Sequence, residues 1–149
     1  MAAHGDRMAR LRAEMERPPF NRWLAPEPVC AEEGRIELRL RARPEHCHQA
    51  DPPLVHGGVI AALIDIAGHA VVAVEQARPA PTIALAIDYL RPAPGPVLTA
   101  TALLRRLGRS MSRADVEIRA GERLVALGRG TFANPGHGDT GGPMPEDAR

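Results

Sequence analysis

Between Gly57 and Gln76 the chain places Val59, Ile60, Leu63, Ile64, Ile66, Ala67, Val71 and Val74 around nearly the whole circumference of a helix. A helix without a polar face must be buried on most sides. Asp65, Gly68 and His69 interrupt the apolar run, and on this reading no stretch approaches the roughly 20 apolar residues of a membrane span. The rest of the chain must therefore supply a cover for one long helix, and that helix carries a carboxylate among its aliphatic residues. Such a group costs several kcal/mol unless something satisfies or uses it.

The cover is legible in the flanking pattern. Residues 35–43 alternate, with Ile36, Leu38 and Leu40 on one side and Arg35, Glu37, Arg39 and Arg41 on the other, as in an antiparallel strand with one wet face. The turn at Glu32-Glu33-Gly34 predicts a hairpin with a short strand over 28–31. After Pro79 and Pro81, strands are predicted over 82–90, 97–107, about 112–119 and 124–132, separated by Pro92-Ala93-Pro94-Gly95-Pro96, Gly108 and Gly121-Glu122. Short turns between consecutive strands make them antiparallel. A helix is predicted over 3–16, with Met8, Leu11 and Met15 on one face and Pro18-Pro19 ending it. Phe20 and Trp23 read as anchors in a loop, and 44–55 reads as loop. The expected division is 1–19 as N-terminal helix and linker, 20–133 as the folded domain and 134–149 as a disordered tail. The expected class is α+β: a curved antiparallel sheet of five to six strands wrapped around the long helix.

Composition removes several functions. The net charge is +1, so no strong field draws the chain to nucleic acid or to anionic lipid, and neither is expected as a partner. The 19 basic residues are all arginine, so any phosphate contact would come from a planar fork. Two cysteines are too few for a disulfide framework. Residues 1–16 are charged and lack the apolar run of a secretory signal, so a cytoplasmic location is expected. His46, Cys47, His48 and His56 lack the paired spacing of a metal site, and no metal or cofactor is expected.

The string His56-Gly57-Gly58-Val59-Ile60-Ala61-Ala62-Leu63-Ile64-Asp65 resembles the hotdog-fold thioesterases of the phenylacetate-degradation and acyl-CoA thioesterase type. Three further strings match in order and spacing: Ile87-Asp88-Tyr89-Leu90-Arg91-Pro92, Leu107-Gly108-Arg109-Ser110, and Ala126-Leu127-Gly128-Arg129-Gly130-Thr131-Phe132. The likeness covers about residues 20–133. It implies hydrolysis of an acyl- or aryl-CoA thioester, with Asp65 as general base or nucleophile and the Gly57 amide as oxyanion donor. Gly57 and Gly58 open the helix, where backbone N–H groups lack intrahelical partners and the dipole favours negative charge.

Gly57 and Asp65 are eight residues apart on one helix, hence about 12 Å apart along its axis. They cannot both touch one thioester carbonyl. If both act, they come from two chains, so a homodimer or a dimer of dimers is expected, as in the family. His56 is expected to shape the turn or touch substrate. Thr82 aligns with a hydroxyl residue that positions water in relatives. His69, one turn beyond Asp65, could orient water or tune the carboxylate. The family carries Asn or Gln about six residues before the histidine of His-Gly-Gly; Ala50 stands there, with Gln49 adjacent as a substitute. Arg91, Arg106 and Arg109 lie where the family's nucleotide moiety runs. The substitution at Ala50 leaves a competing possibility, a non-catalytic acyl-CoA-binding protein on the same fold. A hydratase using Asp65 and His69 is a weaker alternative, because the motif context fits poorly.

Overall fold

The computed structural model describes residues 4–135. Helix α1 (His4–Glu16) and a short α2 (Pro19–Leu24) precede strands β1 (Glu27–Glu32) and β2 (Arg35–Arg41). A 3-10 turn, Pro44–His46, leads to a ribbon of β3 (Cys47–Ala50) and β4 (Pro53–Val55). Helix α3 (Gly57–Gln76) follows, and then β5 (Thr82–Tyr89), β6 (Val97–Arg106), β7 (Met111–Ala120) and β8 (Arg123–Ala133). Six strands form one antiparallel sheet in the order β1-β2-β6-β7-β8-β5.

The sheet closes on α3, which packs against β2, β5, β6, β7 and β8. Each strand contributes alternate residues to this core. Ile36, Leu38 and Leu40 of β2 are fully buried, as are Ala114 and Ile118 of β7, with Val116 between them at 1% exposure. Close approach to β8 depends on glycine: a Cβ on Gly128 would collide with Ile64 of α3. The hairpin turns expected at Gly34 and Gly121 are present, and both residues have positive φ (65° and 60°), which costs glycine little.

Three local expectations are corrected. Phe20 and Trp23 lie on α2 rather than in a loop, because Pro19 occupies the first helical position, where its missing N–H costs nothing. The segment 44–55 is not all loop: β3 and β4 pair with each other outside the main sheet. By length and a mean hydropathy of 2.0, α3 does reach the threshold for crossing a bilayer, but 61% of that window is buried inside this fold. Its interruptions are too few to lower the average.

Helix α1 lies over β1 and the C-terminal half of α3. Arg7 of α1 is bonded to Glu75 at 3.0 and 3.4 Å, and Glu75 also accepts the Gly34 N–H at 2.9 Å. Arg10 donates to the Val74 carbonyl at 2.9 Å, serving a helix end that has no basic residue of its own. The tail expected from 134 lies outside the described residues from 136 onward. Asn134 itself is buried: its backbone donates to the Ser110 carbonyl at 2.8 Å, and its side chain donates to Ser112 Oγ at 2.8 Å and to the Gly108 carbonyl.

Candidate active site

Strand β5 is one edge of the sheet, and it positions the polar groups of α3. Thr82 and Tyr89 are seven residues apart, so in a regular strand their side chains would point to opposite faces. A bulge at Ile83 breaks the alternation: Thr82 pairs with Phe132, whereas Ala84 pairs with Thr131. The extra residue turns Thr82 to the same face as Leu85, Ile87 and Tyr89. Both ends of β5 therefore reach α3. Thr82 Oγ1 donates to Asp65 Oδ1 at 2.6 Å, and Tyr89 donates its hydroxyl proton to the Gly57 carbonyl at 2.8 Å.

Asp65 is not sunk completely. It is half-buried, at the open edge of the sheet, with Thr82 exposed beside it. Thr82 occupies one carboxylate oxygen and leaves Oδ2 without a partner among the described residues. The Thr82 hydroxyl, having donated to Asp65, keeps lone pairs for a water molecule.

At the start of α3, His56 is the N-cap, and its Nδ1 accepts the Gly58 N–H at 2.8 Å. The proton of the neutral ring is therefore on Nε2, at the exposed tip of the side chain. The Gly58 amide is occupied by this cap, whereas the Gly57 amide has no acceptor among the described residues. The two glycines thus have different causes. A Cβ on Gly58 would sit 3.0 Å from His56 Nδ1, so the cap itself asks for glycine there. A Cβ on Gly57 would meet only the Tyr89 ring, at 3.4 Å, and no positive φ demands glycine at that residue. What Gly57 leaves open is the approach to its own N–H.

His69 is anchored rather than free. Its Nε2 accepts the Ala80 N–H at 3.2 Å, and its Nδ1 faces Glu14 of α1 at 3.6 Å. Burial holds its pKa below the ordinary imidazole value, against the opposing pull of Glu14 and Asp65. Gln49 is exposed on β3, and its amide is bonded to the carbonyls of its own ribbon, Pro52 at 3.0 Å and Asp51 at 3.5 Å. Within one chain it is not bonded to Asp65. Arg91, Arg106 and Arg109 are all exposed, and the structure divides them. Arg106 and Arg109 flank the β6–β7 turn at the Thr82 end of the sheet. Arg91 follows β5 at the Tyr89 end, where its backbone meets Val125. Eight residues of β5 put these ends roughly 25 Å apart.

Tyr89 was not singled out in the sequence. It stood within a matched string, but nothing in that string tells which face of the strand it occupies. A cavity of about 500 Å³ lies on the far face of the sheet, away from Asp65 and Gly57. Its charges are largely paired: Asp115 is bonded to Arg129 at 2.7 and 3.0 Å and to Arg105 at 2.8 Å, which holds its carboxyl below the usual range.

One long helix clasped by a six-stranded antiparallel sheet is the hotdog fold. The sequence profile of the thioesterase superfamily matches residues 53–127, and the chain belongs to that superfamily. The medium/long-chain acyl-CoA thioesterase YigI of Escherichia coli K12 is 32% identical over 130 residues, covering 76% of this chain and 84% of YigI. The E. coli PaaI protein of the phenylacetic acid degradation operon superposes with a TM-score of 0.80 at 26% identity, covering 91% of this chain and 97% of PaaI. Zebrafish thioesterase superfamily member 2 shares the fold, with a TM-score of 0.74 at 24% identity over 89% of this chain and 99% of its own.

Proposed function

We propose that the protein is a cytoplasmic acyl-CoA thioesterase, active as a homodimer or a dimer of dimers, whose site is shared between two chains. The observation that carries this reading is the Thr82–Asp65 hydrogen bond of 2.6 Å at the edge strand of the sheet, with the second carboxylate oxygen free among the described residues. Oδ2 takes a proton from water as the water oxygen attacks the thioester carbonyl. Thr82 keeps the carboxylate aimed and accepts a hydrogen bond from the other O–H of the water. The carbonyl oxygen gathers charge against the Gly57 N–H of the neighbouring chain, with the helix dipole behind it. Collapse of the tetrahedral intermediate expels the CoA thiolate, which takes from Asp65 the proton removed from water, and frees the acid. His56, with Nε2–H outward beside this amide, can donate a hydrogen bond to the departing sulfur while its ring stays neutral.

The shared site follows from distance. Asp65 and Gly57 are about 12 Å apart along one helix. The outer edge of β5 is unpaired among the described residues, and two copies pairing antiparallel about Leu85–Ala86 would set Thr82 of each chain against the far end of the other. The same twofold would gather Arg106 and Arg109 from the chain giving Asp65 and Arg91 from the chain giving Gly57, around one CoA. Gly58 borders the same cleft. Gln49 would have to leave its ribbon to reach the water, and His69 acts through the position of α3.

The test is complementation. Gly57→Pro removes the N–H at a position where proline is favoured, and His56 already has the extended backbone (φ −64°, ψ 138°) that a residue before proline adopts. Gly57→Pro and Asp65→Asn should each lack turnover on a panel of acyl-CoAs. Randomly mixed chains should regain about one quarter of wild-type activity, because half the dimers then hold one intact site. No recovery on mixing would overturn the shared site. Tight acyl-CoA binding without turnover in the wild type would favour the non-catalytic alternative.

A further inference from the structure

We infer that Tyr89 is a positioning residue for the oxyanion turn, acting through the Gly57–Gly58 peptide. The inference rests on the shared-site reading above. Tyr89 donates to the Gly57 carbonyl at 2.8 Å, and the N–H on the other side of that same peptide, from Gly58, donates to His56 Nδ1 at 2.8 Å. Hydroxyl, peptide and imidazole thus form one continuous chain of donors and acceptors. Each bond in such a chain polarises the next.

Two consequences follow. A more polarised Gly58 N–H binds His56 Nδ1 more firmly, which fixes the imidazole in the tautomer that presents Nε2–H to the cleft. The Gly57–Gly58 peptide plane is also held at both edges, so the preceding amide, the free Gly57 N–H, points in one direction without help from substrate. An oxyanion donor is effective to the extent that it needs no reorganisation when charge appears. Stability alone does not ask for this hydroxyl. The Gly57 carbonyl already lies in the first turn of α3, and Tyr89 is 53% exposed, so a phenylalanine could occupy its place without burying an unsatisfied group. The bulge at Ile83 gives Tyr89 and Thr82 a common face, so one edge strand orients the amide of one site and the carboxylate of the other.

The experiment compares Tyr89→Phe with wild type, Asp65→Asn and Gly57→Pro. In Tyr89→Phe, kcat should fall about tenfold with KM for acyl-CoA unchanged, the pH profile should keep its shape, and the melting temperature should hold. Glycine-selective amide exchange should show the Gly58 N–H exchanging several-fold faster than in wild type, a readout that needs no turnover. Unchanged kcat with unchanged Gly58 exchange overturns the inference, as does a kcat loss matched by a rise in KM and a drop in melting temperature. If Asp65→Asn and Gly57→Pro retain full turnover, the site reading fails, and the exchange result still decides the role of Tyr89.

Discussion

The two halves of α3 treat their polar groups in opposite ways. In the C-terminal half Glu75, His69 and the Val74 carbonyl each have a partner within the chain, and Gln76 leaves only its buried Oε1 unpaired among the described residues. Glu75 holds Arg7 and the Gly34 amide, Arg10 serves the Val74 carbonyl, and His69 accepts from Ala80. In the N-terminal half Asp65 keeps an oxygen and Gly57 an amide without a partner among the described residues, both beside the β5 edge of the sheet. Helix α1 covers the first of these regions and not the second. On the proposed function the difference separates what holds the molecule together from what it does: polar groups that are fully used stabilise, and polar groups left partly unused are available for a reaction.

Substitutions can break this division or sharpen it. The largest effect should be on turnover, in Asp65→Asn, which should lower kcat by about 10² to 10⁴ while leaving the melting temperature unchanged or raised. Steady-state thiol release and a thermal melt on the same sample check both halves. Glu75→Ala should do the reverse. It removes the Glu75 carboxylate shared by the buried Arg7 and the Gly34 N–H and should cost about 3 kcal/mol of unfolding free energy in a urea titration, with kcat per folded molecule retained. Equal losses of activity and stability in either variant would erase the distinction. Thr82→Val should reduce kcat about tenfold, the value of one hydrogen bond to a charged group, with little change in stability.

The smallest effect is a pH dependence on the anchored side. Burial holds the folded His69 pKa below its unfolded value of about 6.5. The unfolded chain then binds the proton more readily, so this contribution to stability is complete above pH 6.5 and is lost as pH falls through the folded value. Protonation at Nε2 would also set two N–H groups against each other at Ala80. His69→Gln should flatten the stability profile below pH 6.5 in denaturant titrations, although His46, also lowered by burial, will keep part of the slope.

Much of this was legible before any coordinates. The sheet strands follow from alternation that needs no tertiary information, as in Ile36, Leu38 and Leu40, and the hairpins follow from glycines that tolerate positive φ. The helix at 57–76 follows from apolar residues around nearly its whole circumference. The short helix at Phe20–Trp23 and the ribbon at 47–55 were not legible, because segments of three to six residues are too short for periodicity to show. For the site, Asp65 and Gly57 stood out by type and place. Their surroundings did not: Gln49 is held by its own ribbon, His69 by α1 and the β5 approach, and Tyr89 went unnoticed.

The sequence by itself determined that one apolar helix would be clasped by an antiparallel sheet, because hydrophobic periodicity is a local property that each segment carries with it. It also determined that a carboxylate and a glycine turn would share that helix eight residues apart. Tertiary structure decided which polar groups would be used up and which left open. One inserted residue at Ile83 reverses the facing of Thr82 relative to Tyr89, and the pairing with β8 that creates this bulge is a contact between segments nearly fifty residues apart in the chain. No local pattern encodes that parity, since it exists only once the two strands have met.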